Sequence, residues 1–162
     1  MSIELVREYL KKYNIDNRIM EYDQSSATVE LAAEAAGVIP ARICKSISLK
    51  TEDGAILICT AGDAKIDNRK YKDIFHTKAK MLSPDEVKQY TNHEIGGVCP
   101  FGITNSNTKV YLDISLNRFE TVFPACGSSN SAVELTPDEL FEISCSIEWI
   151  DACKDWQEQE NE

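Results

Sequence analysis

The sequence predicts an α+β domain: a mixed, mostly antiparallel sheet, curled and barrel-like, with helices packed around it. Three observations point there. Helices and short strands follow one another without the regular alternation of a doubly wound sheet. The glycine fingerprints of nucleotide-binding folds are absent. Two strand-like segments, Ile43 to Lys50 and Ala55 to Ala61, flank Glu52-Asp53-Gly54, a turn that folds them into a hairpin. With 162 residues, 43% of them hydrophobic, the chain is sized for one core. We assign residues 1–153 to that domain and 154–162 to an acidic tail that is expected to fray.

Each element has its own signal. Ser2 can cap a first helix in which Leu5, Val6, Tyr9, Leu10 and Tyr13 share a face. The Ala-rich segment from Thr28 to Ala36 reads as a second helix, with Ser26 or Thr28 as cap and Gly37 as its stop. In the strand Ile43 to Lys50, Lys45 falls on the same face as Ile43, Ile47 and Leu49. Asp67 caps a basic helix after Gly62-Asp63, where Asp63 reads as a turn-stabilising residue. Leu82-Ser83-Pro84-Asp85-Glu86-Val87 and Leu135-Thr136-Pro137-Asp138-Glu139-Leu140 both carry a capping box, a proline at the first helical position and a staple. Strands are expected over Lys109 to Ile114, Glu120 to Ala125 and Ala132 to Leu135, and Trp149 and Trp156 are candidates to pin the C-terminal segment.

Composition narrows the function. The longest apolar runs fall short of the roughly 18 residues a membrane helix needs, and the first residues are amphipathic and charged, unlike a secretory leader. A cytoplasmic protein without a membrane partner is expected. The six cysteines form no Cys-x-x-Cys pair and read as reduced thiols, and two histidines are too few for a His-rich metal site, so no metal or other cofactor is expected. The net charge of −10 opposes a nucleic-acid partner at first sight, and DNA is not expected. The charge is uneven, however: residues 1–80 carry 13 Lys/Arg against 12 Asp/Glu, and residues 81–162 carry 4 against 15. Lys65, Arg69, Lys70, Lys72, Lys78 and Lys80 crowd into sixteen positions. That patch is either a solvated helix face or a surface that steers a polyanion.

The stretch Gly96-Gly97-Val98-Cys99-Pro100-Phe101-Gly102 is too rich in glycine and proline for a helix or central strand. It is either a tight connection or a loop that presents backbone N–H groups to a small polar group. Lysine is almost never buried unpaired, so Lys45 on an apolar face either snorkels at a rim or serves a site. Gly127-Ser128-Ser129 forms a second small-residue loop, but Gly127-Ser-Ser-Asn-Ser131 is not a nucleophile elbow. Cys99 is the thiol expected to be most exposed, and no cue pairs it with His76 or His93. An inward lysine and two donor-rich loops suit a hydrolase that positions water and stabilises an oxyanion without a covalent intermediate.

In this order the motifs resemble the YbaK/EbsC family of aminoacyl-tRNA deacylases, free-standing relatives of the editing domain inserted in bacterial prolyl-tRNA synthetases. The resemblance runs from about Leu5 to Phe141. It rests on Ala32-Ala-Glu-Ala-Ala-Gly37, Ile43-Cys-Lys-Ser-Ile47, Gly62-Asp63 with Ile66-Asp67, Gly96-x-x-x-Pro100 with Gly102, and Gly127 followed by Glu134-Leu135 and Asp138-x-Leu140. It implies a mixed α/β domain around a curled sheet and an editing pocket lined by Lys45. The Gly96, Gly97, Pro100, Gly102 loop shapes that pocket, and Gly127 borders it with Ser128 and Ser129. The implied substrate is a mischarged tRNA, with proline tRNA carrying Cys or Ala as the leading case and prolyl-tRNA synthetase as a candidate partner. Ser128 and Ser129 stand where family members that clear Cys from proline tRNA usually carry basic residues. Lys65, Arg69, Lys70 and Lys72 are therefore candidates for the tRNA contact. A non-catalytic module that binds aminoacyl-tRNA or an amino acid is the alternative.

Overall fold

The computed structural model describes residues 2–156. In chain order the elements are α1 (Ser2–Lys11), β1 (Met20–Glu21), α2 (Val29–Ala36), β2 (Ile43–Lys50), β3 (Ala55–Ala61), β4 (Lys65–Ile66), α3 (Asn68–Phe75), α4 (Pro84–Thr91), β5 (Thr108–Asp113), β6 (Phe123–Pro124), β7 (Ser131–Ala132), α5 (Pro137–Ile143), β8 (Trp149–Ile150) and β9 (Cys153–Lys154). The mixed α+β class is the one expected.

A five-stranded sheet, in the order β6-β2-β3-β5-β8, forms the frame. Its only antiparallel pair is the β2–β3 hairpin, registered Lys45 to Thr60 and Lys50 to Ala55. β6 joins β2, β5 joins β3 and β8 joins β5 in parallel. The main sheet is thus more parallel than its hairpin suggests. The connection from β3 to β5 passes through α3 and α4, and a crossover of that length returns the chain in the same direction. Two small antiparallel pairs, β1–β7 and β4–β9, complete the pairing. The strand expected over 120–125 is shorter: only Phe123–Pro124 pairs, while Val122 bridges Leu135.

β3 is buried at every position because it lies between two apolar layers, which explains its unbroken apolar sequence. The larger core holds Cys44, Leu57, Cys59 and Ala61 from the hairpin against Val6 and Leu10 of α1 and Leu135 and Leu140. A second layer packs Leu49, Ile56 and Ile58 against Tyr71 of α3. β2 therefore has two covered faces. The side bearing Cys44, Ser46 and Ser48, which alternation marks as the polar one, looks onto the larger core.

The helix ends follow their sequence signals. Thr28, not Ser26, caps α2, accepting from the Leu31 N–H at 3.2 Å, and Gly37 ends it at φ +72°. Asp67 caps α3, and both capping boxes are closed, Ser83 with Glu86 and Thr136 with Glu139. Ser2 is already helical and its hydroxyl donates to the Gly127 carbonyl, so it ties α1 to a loop instead of capping it. Asp63 is tied to Arg118, 55 residues on, through a half-buried fork at 2.6 and 3.0 Å. Arg118 in turn lies 5.0 Å from the ring of Trp156, which is buried. The chain thus stays packed past residue 153, through β9 to Trp156. The tail expected to fray is 154–162, and of it residues 157–162 lie outside the described residues. Among the described residues no helix is long and apolar enough to cross a membrane.

Candidate functional site

The site begins with a gap along the edge of β2. At one end Ile43 and Cys44 pair with β6. At the other, Leu49 bridges Met81, with the Leu82 N–H donating to the Ser48 carbonyl (3.3 Å) and the Lys50 N–H to the Lys80 carbonyl (2.7 Å). Peptide groups alternate in direction along an antiparallel strand. Since the Ser48 carbonyl points away from β3, the N–H and C=O of Ser46 do so too. They open onto an edge with no strand beside it, and there lies a cleft of about 280 Å³. Its other walls are the start of α2 (Ala27, Thr28, Val29), the loop residues Gly96 and Val98, and the pair Ala125 and Ser131.

Three polar features face this mostly apolar space. Lys45 lines it, half-buried. Desolvation lowers the Lys45 pKa from its ordinary value, while Cys153 and Asp63 pull the other way. Ser26 also lines it; its hydroxyl is buried without a hydrogen-bond partner, while its N–H donates to the Ser129 carbonyl at 2.6 Å. The third is the free peptide edge at Ser46. A buried hydroxyl without a partner is costly, and its presence at a cleft marks a position that a ligand can satisfy.

The Gly96–Gly102 loop forms the wall from behind as much as from the front. Gly96 and Val98 reach the lining, whereas Gly97, Cys99, Pro100, Phe101 and Gly102 are buried beneath it. The Gly97 N–H closes a turn onto the Glu94 carbonyl at 3.0 Å, with Gly96 at φ +99°. Gly97 is glycine for a steric reason: a Cβ there would sit 2.7 Å from the Ser128 nitrogen and 2.8 Å from the Gly127 carbonyl carbon. The two predicted loops touch backbone to backbone. Gly127, Ser128 and Ser129 support the wall without lining it. Ser128 bonds Ser131 at 2.6 Å, and Ser131 is the member of that loop in the cleft.

The thiol expected to be exposed is fully buried. Cys99 lies 3.4 Å from His93 Nε2, a pairing with no sequence cue, since it depends on how the loop folds back. It is not a nucleophilic dyad. Burial pushes the Cys99 thiol far above its ordinary range and pushes His93 below its own, so both are held neutral. Their role is structural: His93 Nε2 also bonds the Phe101 carbonyl (2.7 Å), and Asn92 holds the Gly102 carbonyl (2.9 Å). Lys65, Arg69, Lys70 and Lys72 do not line this cleft. Lys70 is held by Asp151 and the Cys153 carbonyl, both at 2.9 Å. Among the described residues no group of three or more His, Cys, Asp or Glu is placed to hold a metal. Sequence reasoning missed Ser26, which it weighed as a cap, and Ser46, whose side of β2 looked solvent-facing.

A small cleft at an unpaired strand edge, with Gly96 and Val98 of the glycine-rich loop in one wall, is a candidate site for a small ligand. The chain belongs to the aminoacyl-tRNA editing domain family, whose model matches residues 23–143. It is 58% identical to the uncharacterized protein YwhH of Bacillus subtilis (strain 168), over 97% of this chain and all of that one. It is 28% identical to the proline–tRNA ligase of Geobacillus sp. (strain WCH70), over 72% of this chain but 21% of the ligase. A solved structure described as that of a candidate trans-editing enzyme for prolyl tRNA synthetase superposes with a TM-score of 0.85 at 28% identity, covering 95% of this chain and 98% of that one.

Proposed function

We propose that the chain is a trans-editing deacylase that hydrolyses the ester between a wrong, small amino acid and the 3′-terminal ribose of a tRNA. Proline tRNA carrying Cys or Ala is the leading substrate, and the likeness to a candidate trans-editing enzyme for prolyl tRNA synthetase supports that choice. The observation that carries the reading is the unpaired peptide edge at Ser46, set beside Lys45 and the orphan hydroxyl of Ser26 in one cleft. At about 280 Å³ the cleft lies at the lower end of ligand-site volumes, which fits an amino acid and not a whole nucleotide.

The chemistry follows from what the cleft offers. With Cys99 sealed in the core, water attacks the ester carbonyl carbon directly. The carbonyl oxygen gains charge and is met by the Ser46 N–H at the strand edge, a donor that needs no reorganisation. Lys45 supplies a positive field within the same space and orients the ester. The bond from the carbonyl carbon to the ribose oxygen then breaks. The water's proton ends on that oxygen, releasing the free amino acid and a tRNA with its terminal hydroxyl restored.

The test is a deacylation panel over mischarged tRNAs, proline tRNA included. The parent protein should clear at least one small-residue ester, and Lys45→Ala should lower kcat/KM by about 10²-fold or more, as for loss of one oriented electrostatic group. Equal rates for parent and variant on the cleared substrate would overturn the assignment of Lys45. A parent that binds charged tRNA yet leaves every ester intact would overturn the deacylase reading.

A further inference from the structure

A second cavity, of about 1090 Å³, lies beside the first and is different in kind. Lys78, Lys80 and Lys109 line it, each exposed and without an ion-pair partner among the described residues. Lys50 lines it too but is paired with Glu86 at 3.1 Å, and Glu52 and Asp53 stand at the same cavity. Its floor is a run of aromatic rings: Tyr71 and Phe75 with centroids 4.8 Å apart, then Phe75 and Tyr111 edge-on at 5.2 Å. Phe75 and Tyr111 are half-buried, whereas Tyr71 is fully buried and its hydroxyl finds no partner in the protein.

The two cavities share one strap of chain. Ser48 and Met81 line the first, Lys50 and Lys80 the second, and the Leu49–Met81 bridge lies between them. A chain leaving the first cleft needs only to cross Met81, which is 67% exposed, to reach the lysines.

We propose that this second cavity binds the sugar-phosphate backbone of the RNA whose aminoacylated 3′ end occupies the first. The proposal rests on the editing reading above. Free lysines over partly exposed aromatic rings are the arrangement that holds single-stranded nucleic acid, the cations meeting phosphates and the rings meeting bases. The local sign matters because the molecule as a whole is repulsive: with a net charge of −10, RNA can approach only where cations are concentrated and unpaired. Lys65, Arg69, Lys70 and Lys72 line neither cavity, so the contact falls to the lysines after α3 and on β5.

The experiment measures binding of an uncharged RNA acceptor minihelix ending in CCA, across a salt series, so that it does not depend on catalysis. The triple variant Lys78→Ala/Lys80→Ala/Lys109→Ala should bind at least tenfold more weakly. Its slope of log affinity against log salt should be shallower by about 2, as for three lost phosphate contacts on a single strand. Lys12→Ala, in the turn after α1, should change neither quantity. Unchanged affinity and slope in the triple variant would overturn the proposal. If the parent hydrolyses no ester yet loses RNA binding in the triple variant, the deacylase reading falls and the RNA site stands. If hydrolysis persists while binding ignores these lysines, the reverse holds.

Discussion

Lys45 is held half out of water on β2 with no ion pair among the described residues, and that position has a cost readable in its titration. Its folded pKa lies below the ordinary lysine value because desolvation disfavours the ammonium. The unfolded chain therefore binds this proton more tightly. Stability from this group is full only above the unfolded pKa and is lost as pH falls through the folded one. Below the folded pKa both states are protonated and the whole penalty is present. Lys45→Met, which keeps the stem and removes the charge, should therefore raise Tm at pH 7 while depressing deacylation. Its Tm advantage should shrink as pH rises toward 10. A lower Tm at pH 7 would mean that the ammonium is satisfied by a partner and is not held ready for a ligand. This exchange of stability for function is common at binding sites.

At the scale of elements, the site depends on two loops meeting where side chains would forbid it. Gly97 lies against the Gly127–Ser128 peptide, and a methyl group there must displace backbone, not a flexible side chain. Gly97→Ala should cost about 1–3 kcal/mol of stability, the range for overpacking a filled interior, and should lower activity further than stability alone accounts for, because Gly96 and Val98 on the cleft wall move with it. Chemical denaturation alongside deacylation rates checks this, and a variant with wild-type values for both would show the loops to be independent. The elements themselves were largely legible in the sequence, since caps, capping boxes and the Glu52-Asp53-Gly54 hairpin act over a few residues. What escaped depends on distant pairing. Nothing local reveals that β6 stops at Pro124 and leaves Ser46 unpaired, or that α3 covers one face of β2 and makes both faces interior. Gly97 reads as a turn residue until Gly127 is brought against it. Lys45 and Gly96 stand out in the sequence as candidate site residues because a lysine on an apolar strand face and a glycine-rich loop are anomalous on their own. Ser26 is ordinary until its hydroxyl is seen to lack a partner.

At the scale of the molecule, the cysteines test whether the packing acts as one unit. Five of the six are buried and only Cys145 is exposed. The five buried thiols, Cys44, Cys59, Cys99, Cys126 and Cys153, all belong to the larger core, although they come from β2, β3, β9 and the two loops that build the cleft. Burial raises the Cys99, Cys126 and Cys153 thiols, and Cys44 is raised first by its hydrogen bond with Cys59 and then by burial. A thiol reacts as its thiolate and only when a reagent can reach it. The folded protein should therefore give one fast equivalent with an aromatic disulfide reagent, and Cys145→Ser should abolish it. In rising denaturant the remaining five should become reactive along a single transition that coincides with loss of secondary structure, as expected for one cooperative core. If Cys99 and Cys126 instead react well before Cys59, the cleft wall opens as a separate, less stable unit. Loop motion, and not a fixed wall, would then govern entry of the ester to Lys45 and Ser46.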